Sequence, residues 1–259
     1  MNFFYRIGPQ PLTGICNFQR ESKPAVIFSG APTQEGLSHG HGASVKMPAL
    51  KPHQKPVFDY RALRLMVGLV ALALPVVVKA IASTPISSIS ASYYTEARDV
   101  FVGLLFVIGA LMWAYNGHTQ MEKWVSKIAS ISAIIVAIFP TACDICPSDL
   151  KSAIHYVAAV VLFSTIAYFC LGPFKKNTKG QKGKKGRRAL VYTACGWIII
   201  GCMLVVGLSK LTLPVELVNA LAITFIAEFI ALWAFGAAWI VAGKVIPQLV
   251  DKDDQLILF

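Results

Sequence analysis

Acidic charge is scarce in this chain. Thirteen Asp and Glu stand against 24 Lys and Arg in 259 residues, and charged residues of both signs make up only 14%. Set beside 56% hydrophobic residues and a mean hydropathy of +0.61, that scarcity moves the composition away from soluble domains and toward membrane proteins. Catalytic signatures are missing too: there is no HxxxH or HExxH pair, no GxSxG elbow, no glycine loop for a phosphate and no dinucleotide fingerprint. No basic segment leading into an apolar run opens the chain, so a cleaved secretory signal is not expected. Neither an aromatic platform nor a reading helix accompanies the basic residues, so the net charge of +11 does not point to nucleic acid.

What is present is apolar sequence grouped in runs. Six nearly uncharged stretches stand out, at about Leu65–Ala82, Val100–Tyr115, Ile128–Thr141, Ala153–Phe174, Ala189–Ser209 and Leu217–Gly243. Several reach the ~20 residues that cross ~30 Å of hydrocarbon, and the second and third do so by borrowing flanks such as Trp124 and Asn116. The expectation is an all-α polytopic bundle of six transmembrane helices over residues 61–245. Residues 1–60, rich in Pro, Gly, Ser and Gln, read as a disordered tail, and 246–259 as a short one. Met47, ahead of "PALKPHQKPVFDYRALR", offers a second start of translation, and the two histidines of "HGHG" (39–42) are a fragment of a metal tract at most.

Placing both termini in the cytoplasm leaves only Lys79, Arg98, Lys151 and Lys210 among the Lys and Arg for the outer side. That asymmetry is the positive-inside pattern, and its strongest element is "KKNTKGQKGKKGRR" (175–188), with eight basic residues and no acid. The run reads as a topology determinant and flexible linker, with anionic lipid headgroups as an alternative partner. The predicted location is a bacterial cytoplasmic (inner) membrane.

Three connections then face outward: "SSISASYYTEARDVFVG" (87–103), "TACDICPSDLKS" (141–152) and "KLTLPVE" (210–216). Ser90, Tyr94, Arg98, Asp99 and His155 converge at this level and form the expected ligand-binding pocket. Arg98 would grip an anionic headgroup, while Asp99 and His155 would share a proton. On the second helix Asp99, Gly103 and Ala110 make one stripe, and on the fourth His155, Ala158, Ala159 and Leu162 make another. Small residues permit close approach in lipid, so both stripes are expected to face the interior. Each residue also has a structural role open to it. Asp99 suits a helix N-terminus, Arg98 a snorkelling anchor, His155 a backbone partner, and Tyr93 and Tyr94 an aromatic belt.

Glu228 is the only acid deep in an apolar run, near the middle of the sixth, and an intramembrane carboxylate must be paired, hydrated or protonated. It is either a functional group or a structural one bonded to a hydroxyl such as Ser130, Ser132 or Thr193. The small face of its helix is Ala220, Ala227, Ala231, Ala234 and Ala238, which places Glu228 at the border of the interior. Cys170, Cys195 and Cys202 sit in apolar runs as small hydrophobes, and Cys16 in the tail. Cys143 and Cys146 form an outward CxxC, readable as a loop clip or a redox pair. No cofactor is predicted. Zinc on Cys143, Cys146, Asp99 and His155 would have a single histidine.

"SYYTEARDVFVGLLFVIGALMWAYNG" (92–117), "AIFPTACD" (137–144) and "AIHYVAAVVLFSTIAYF" (153–169) resemble a family of bacterial six-helix membrane proteins catalogued as a domain of unknown function. The resemblance runs from Tyr60 through the sixth helix and implies a membrane protein with no catalytic residues to carry over. A narrower similarity, limited to the Pro-Ile-Ser…Tyr…Arg-Asp pattern, is to membrane proteins of the damage-regulated autophagy modulator type, which are non-enzymatic. The alkaline ceramidase and progestin/adiponectin receptor-like hydrolases hold zinc with histidines, whereas the last helix here carries Glu228 and no histidine pair. The expected function is binding of a membrane lipid or of a small hydrophobic or anionic ligand. A metal-assisted lipid hydrolase and a thiol oxidoreductase using the CxxC pair are the alternatives.

Overall fold

The structure, a computed structural model, describes residues 60–142, 149–176, 178 and 182–250. The expected N-terminal tail up to residue 59 and the last nine residues lie outside these, as do Cys143 and Cys146. Among the described residues there is no strand. The α-helices are α1 (Tyr60–Ile81), α2 (Arg98–Ala114), α3 (Gln120–Ile138), α4 (Leu150–Phe169), α5 (Lys184–Thr212), α6 (Val215–Ala220) and α7 (Ile223–Ala242). Four of them, α1, α4 with the turn that continues it, α5 and α7, are long and apolar enough to cross a membrane, as an integral membrane protein requires.

Local chemistry accounts for several of the boundaries. Thr119 caps α3 by accepting the Glu122 N–H, which pulls the helix start eight residues ahead of the apolar run that announced it. Asp149 and Ser152 form a reciprocal capping box at α4. Pro173 has no N–H for the Phe169 carbonyl, and α4 widens there into a π turn, Cys170–Phe174. The sixth apolar run is not one helix. It breaks into α6 and α7 at Ala222, a left-handed residue with φ of 49°, and no glycine or proline between 215 and 223 signalled the break.

The six long helices close into a ring in which α1 packs on α2, α2 on α3, α3 on α4, α4 on α5, α5 on α7 and α7 on α1. Neighbours run in opposite directions. Arg64 at the start of α1 bonds Tyr115 at the end of α2, His118 before α3 and the Ala242 carbonyl at the end of α7. Backbones touch where glycine permits it. A Cβ on Gly68 would stand 2.8 Å from the Gly236 carbonyl oxygen, and one on Gly236 the same distance from that of Gly68. Hydroxyls bridge α2 and α3, Ser130 donating to the Gly109 carbonyl at 2.6 Å and Ser126 to that of Met112. Inside the Arg64 end, Trp239 is fully buried among Tyr115, Phe169, Phe174 and Phe235. The outer surface is apolar, with Trp113, Trp124, Leu190, Trp197, Leu204 and Leu208 more than half exposed, as lipid contact allows.

The expected stripes fare differently. His155, Ala158 and Leu162 are buried and Ala159 half-buried; Ala227, Ala231, Ala234 and Ala238 are buried too, while Ala220, on α6 beyond the break, is exposed. On α2 the expectation is reversed: Asp99, Gly103 and Ala110 are exposed, and Phe101, Leu105, Ile108 and Met112 fill the interior. The bulky face is the better filler of the ring interior, and α3 comes against the α2 backbone at Gly109.

Candidate functional site

At the end of the ring away from Arg64, the chain between α1 and α2 folds inward instead of crossing over the top. Its centre is a 3₁₀ helix, Ser90–Tyr94, whose opening is tied by the Ala91 N–H to the Ser88 hydroxyl at 2.9 Å. The first N–H groups of a helix have no partner within it, and here they find Glu228. Its carboxylate accepts the Ile89 N–H at 2.6 Å, the Ser90 N–H at 3.3 Å and the Ser90 hydroxyl at 3.5 Å. Because α7 starts only at Ile223, Glu228 sits in its second turn rather than at mid-membrane depth, which corrects the position read from the unbroken run. Two of the three hydroxyls considered for it have other acceptors: Ser130 bonds Gly109, and Thr193 bonds the Ala189 carbonyl.

Thr141, between α3 and α4, ties this loop to α4. Its carbonyl accepts the Tyr94 hydroxyl at 2.6 Å, and its own hydroxyl donates to Tyr156 at 3.1 Å. The Lys210 ammonium lies 4.1 Å above the centre of the Tyr156 ring. Burial, reinforced by the negative charge of Asp149, raises the Tyr94 hydroxyl above the ordinary phenol range, so it stays a donor. His155 is buried on α4, with Nδ1 2.7 Å from the Phe139 carbonyl. A carbonyl only accepts, so Nδ1 carries a proton and donates it.

These groups frame two confluent cavities. The outer one, about 370 Å³, has a polar rim of Ser87, Thr141, Tyr156, Lys210 and Asn219. The inner one, about 210 Å³, is a mostly apolar slot between α4, α5 and α7, walled by Phe163, Met203, Val206 and Ala231 with Glu228 and His155 at its side. Ser88, Thr141, Tyr156, Lys210 and Thr224 belong to both. Past Met203 the slot continues as an open groove between α4 and α5, along Ile200, Tyr168 and Gly172.

Of the residues expected to form one pocket, the structure joins Ser90 to Glu228 and places His155 on the same inner cavity. Tyr94 lines a neighbouring cavity of about 640 Å³ with Lys79 and Phe225. Arg98 is exposed and turned onto Tyr93, donating to its hydroxyl at 3.0 Å and standing 4.5 Å over its ring. Asp99 is exposed while His155 is buried, and among the described residues no hydrogen bond or ion pair links them. Sequence reasoning passed over Tyr156 and Lys210. Tyr156 adjoins His155, and Lys210 ends the fifth apolar run, so the signal for both was proximity to an outer helix end. Among the described residues no three His, Cys, Asp or Glu side chains come together as a metal site.

No protein-family model, no curated protein and no solved structure matches this chain.

Proposed function

We propose that the chain is a six-span protein of a bacterial cytoplasmic membrane, with both ends of the bundle's polypeptide inside, that binds an amphiphile between α4, α5 and α7. The confluence of a polar rim at Lys210 with an apolar slot open along α4 and α5 is the observation that carries this reading. An anionic headgroup would meet Lys210 and the Thr141 and Tyr156 hydroxyls, and its chain would lie against Phe163, Met203 and Val206. Glu228 accepts from Ile89 and Ser90, so its role is to hold the loop that forms the rim. Alternating helix direction supports six spans, since α2 and α3, of 17 and 19 residues, rise about 26 and 28 Å. The concentration of Arg and Lys at the Arg64 end supports its cytoplasmic placement.

The test is photolabelling in mild detergent with a palmitate analogue carrying a mid-chain diazirine. Label is expected on α4 and α5 around Phe163 and Met203. Gly207 lines the slot and a Cβ there has open space, so Gly207→Leu is expected to narrow the slot and abolish labelling. Lys210→Gln is expected to weaken it about tenfold, the equivalent of ~1.4 kcal/mol. Labelling indifferent to both substitutions would refute the reading.

A further inference from the structure

The opposite end of the ring holds a second cavity, about 380 Å³, whose chemistry is different. Arg64, Lys185, Arg188, Lys244 and His118 line it together with Tyr192, and among the described residues no carboxylate does. Arg64 and Arg188 are 93% and 96% buried, at 7% and 4% relative exposure. Arg64 is held in place, with Nη1 donating to the Ala242 carbonyl at 3.2 Å, Nη2 to the Tyr115 hydroxyl at 2.6 Å, and its plane over Tyr115 and Phe174. Among the described residues its Nε–H has no acceptor, nor has that of Arg188. Among the described residues nothing accepts a hydrogen bond from Arg188 at all. Glu122, the carboxylate nearest in the chain to His118, takes the His118 N–H and the Thr119 hydroxyl, and among the described residues no ion pair joins it to either arginine.

Two buried guanidiniums facing one cavity with no counter-ion among the described residues are costly as they stand. The helix that carries Arg188 compounds the cost. α5 begins Lys184-Lys185-Gly186-Arg187-Arg188 with no acid in its first turn, at the end where the helix dipole favours negative charge and disfavours cations. A bound anion removes both penalties at once. Guanidiniums present planar forks of N–H donors that match phosphate oxygens, and the N–H groups of the α5 start add to them.

We infer that this cavity is a binding site for a phosphate monoester group, held by Arg64 and Arg188 with Lys185 at its mouth. The group can belong to a lipid headgroup, since the site lies at a bundle end, or to a soluble phosphate. The site is independent of the slot beside Lys210.

The experiment is native mass spectrometry with thermal unfolding of the full chain in detergent, titrated separately with dioleoyl phosphatidic acid, inorganic phosphate and dioleoyl phosphatidylcholine. Phosphatidic acid is expected to bind and raise the Tm, and phosphatidylcholine to do neither. Competition by inorganic phosphate assigns the site to soluble phosphates, and its failure to compete to the lipid headgroup. Arg64 braces three helices, so Arg64→Gln can fail to fold. Arg188→Gln makes no described bond to lose and is expected to fold and to lose binding at least tenfold. Unchanged affinity in that variant, or binding of neither phosphate species, overturns the inference. Asp251, Asp253 and Asp254 follow Val250, so their triple Asn variant is titrated in parallel. Phosphate binding to it and not to the unaltered chain would assign the cavity to the chain's own carboxylates and equally overturn the proposal.

Discussion

Replacing Gly68 or Gly236 by alanine tests the packing that closes the ring. A Cβ at Gly68 falls 2.8 Å from the Gly236 carbonyl oxygen, 2.9 Å from the Ile240 nitrogen and 2.6 Å from Ile240 Cγ1. A Cβ at Gly236 falls 2.8 Å from the Gly68 carbonyl oxygen and 2.6 Å from Leu72 Cγ. Side chains can rotate away, but the carbonyls belong to helix backbone. Carbon contacts settle near ~3.5 Å, so α1 and α7 must part by roughly 0.7 Å, enough to forfeit a quarter or more of each dispersion contact along the seam. Val67, Ala71 and Ala238, all fully buried on these helices, are among the residues that lose it. Each single substitution is expected to cost about 1–3 kcal/mol. One separation relieves both clashes, so the double variant should cost less than the sum of the singles by 0.5 kcal/mol or more, on the order of couplings between touching residues. The assay is reversible unfolding in mixed micelles of dodecyl sulfate, followed by far-UV circular dichroism. Gly103→Ala and Gly201→Ala are the controls, because a Cβ there meets nothing within 4 Å. They should be neutral or stabilising by up to ~1 kcal/mol through helix propensity. If Gly68→Ala and Gly236→Ala match the controls, the helices do not meet backbone to backbone at this crossing.

Glu228→Leu strands the Ile89 and Ser90 N–H groups and is expected to lower stability by ~1–3 kcal/mol in the same assay. Glu228→Gln keeps a carbonyl acceptor and should lose less, and equal losses would mean that the loop is held by something else. The Ser152 N–H donated to Asp149 lowers the pKa of that carboxyl below the ordinary Asp value in the folded state. A depressed folded value means that this cap stabilises fully above the unfolded pKa of about 3.9 and fades as pH falls through the lower folded one. Unfolding followed from neutral to strongly acidic pH should therefore show a shallower acid loss in Asp149→Asn, and identical profiles would remove Asp149 from the account.

Much of the architecture was legible along the chain because it depends on local run length and spacing. The apolar runs became helices, although the sixth split in two, so that the described residues form seven α-helices of which four are long and apolar enough to cross a membrane. The faces carrying His155 on α4 and Ala231 on α7 turned inward as their small residues implied. The α2 face was misread because small size marks close approach only when a partner helix is there. Lipid accepts Gly103 as readily as a neighbouring helix does. The break at Ala222 left no mark for the same kind of reason, since Ala-Leu-Ala is good helix sequence and the left-handed turn is imposed from outside.

The sequence by itself determined that the chain has helices fit for a membrane, where they lie and which end gathers the cations, because hydropathy and charge are properties of consecutive residues. Only the tertiary structure decided what the polar residues meet. Glu228 and Ile89 are 139 positions apart, and Arg64 and Arg188 stand on helices that are neither sequential nor ring neighbours. Such pairings follow from ring closure. A sum of many weak contacts between whole helix faces sets that closure, and no single stretch of sequence encodes it.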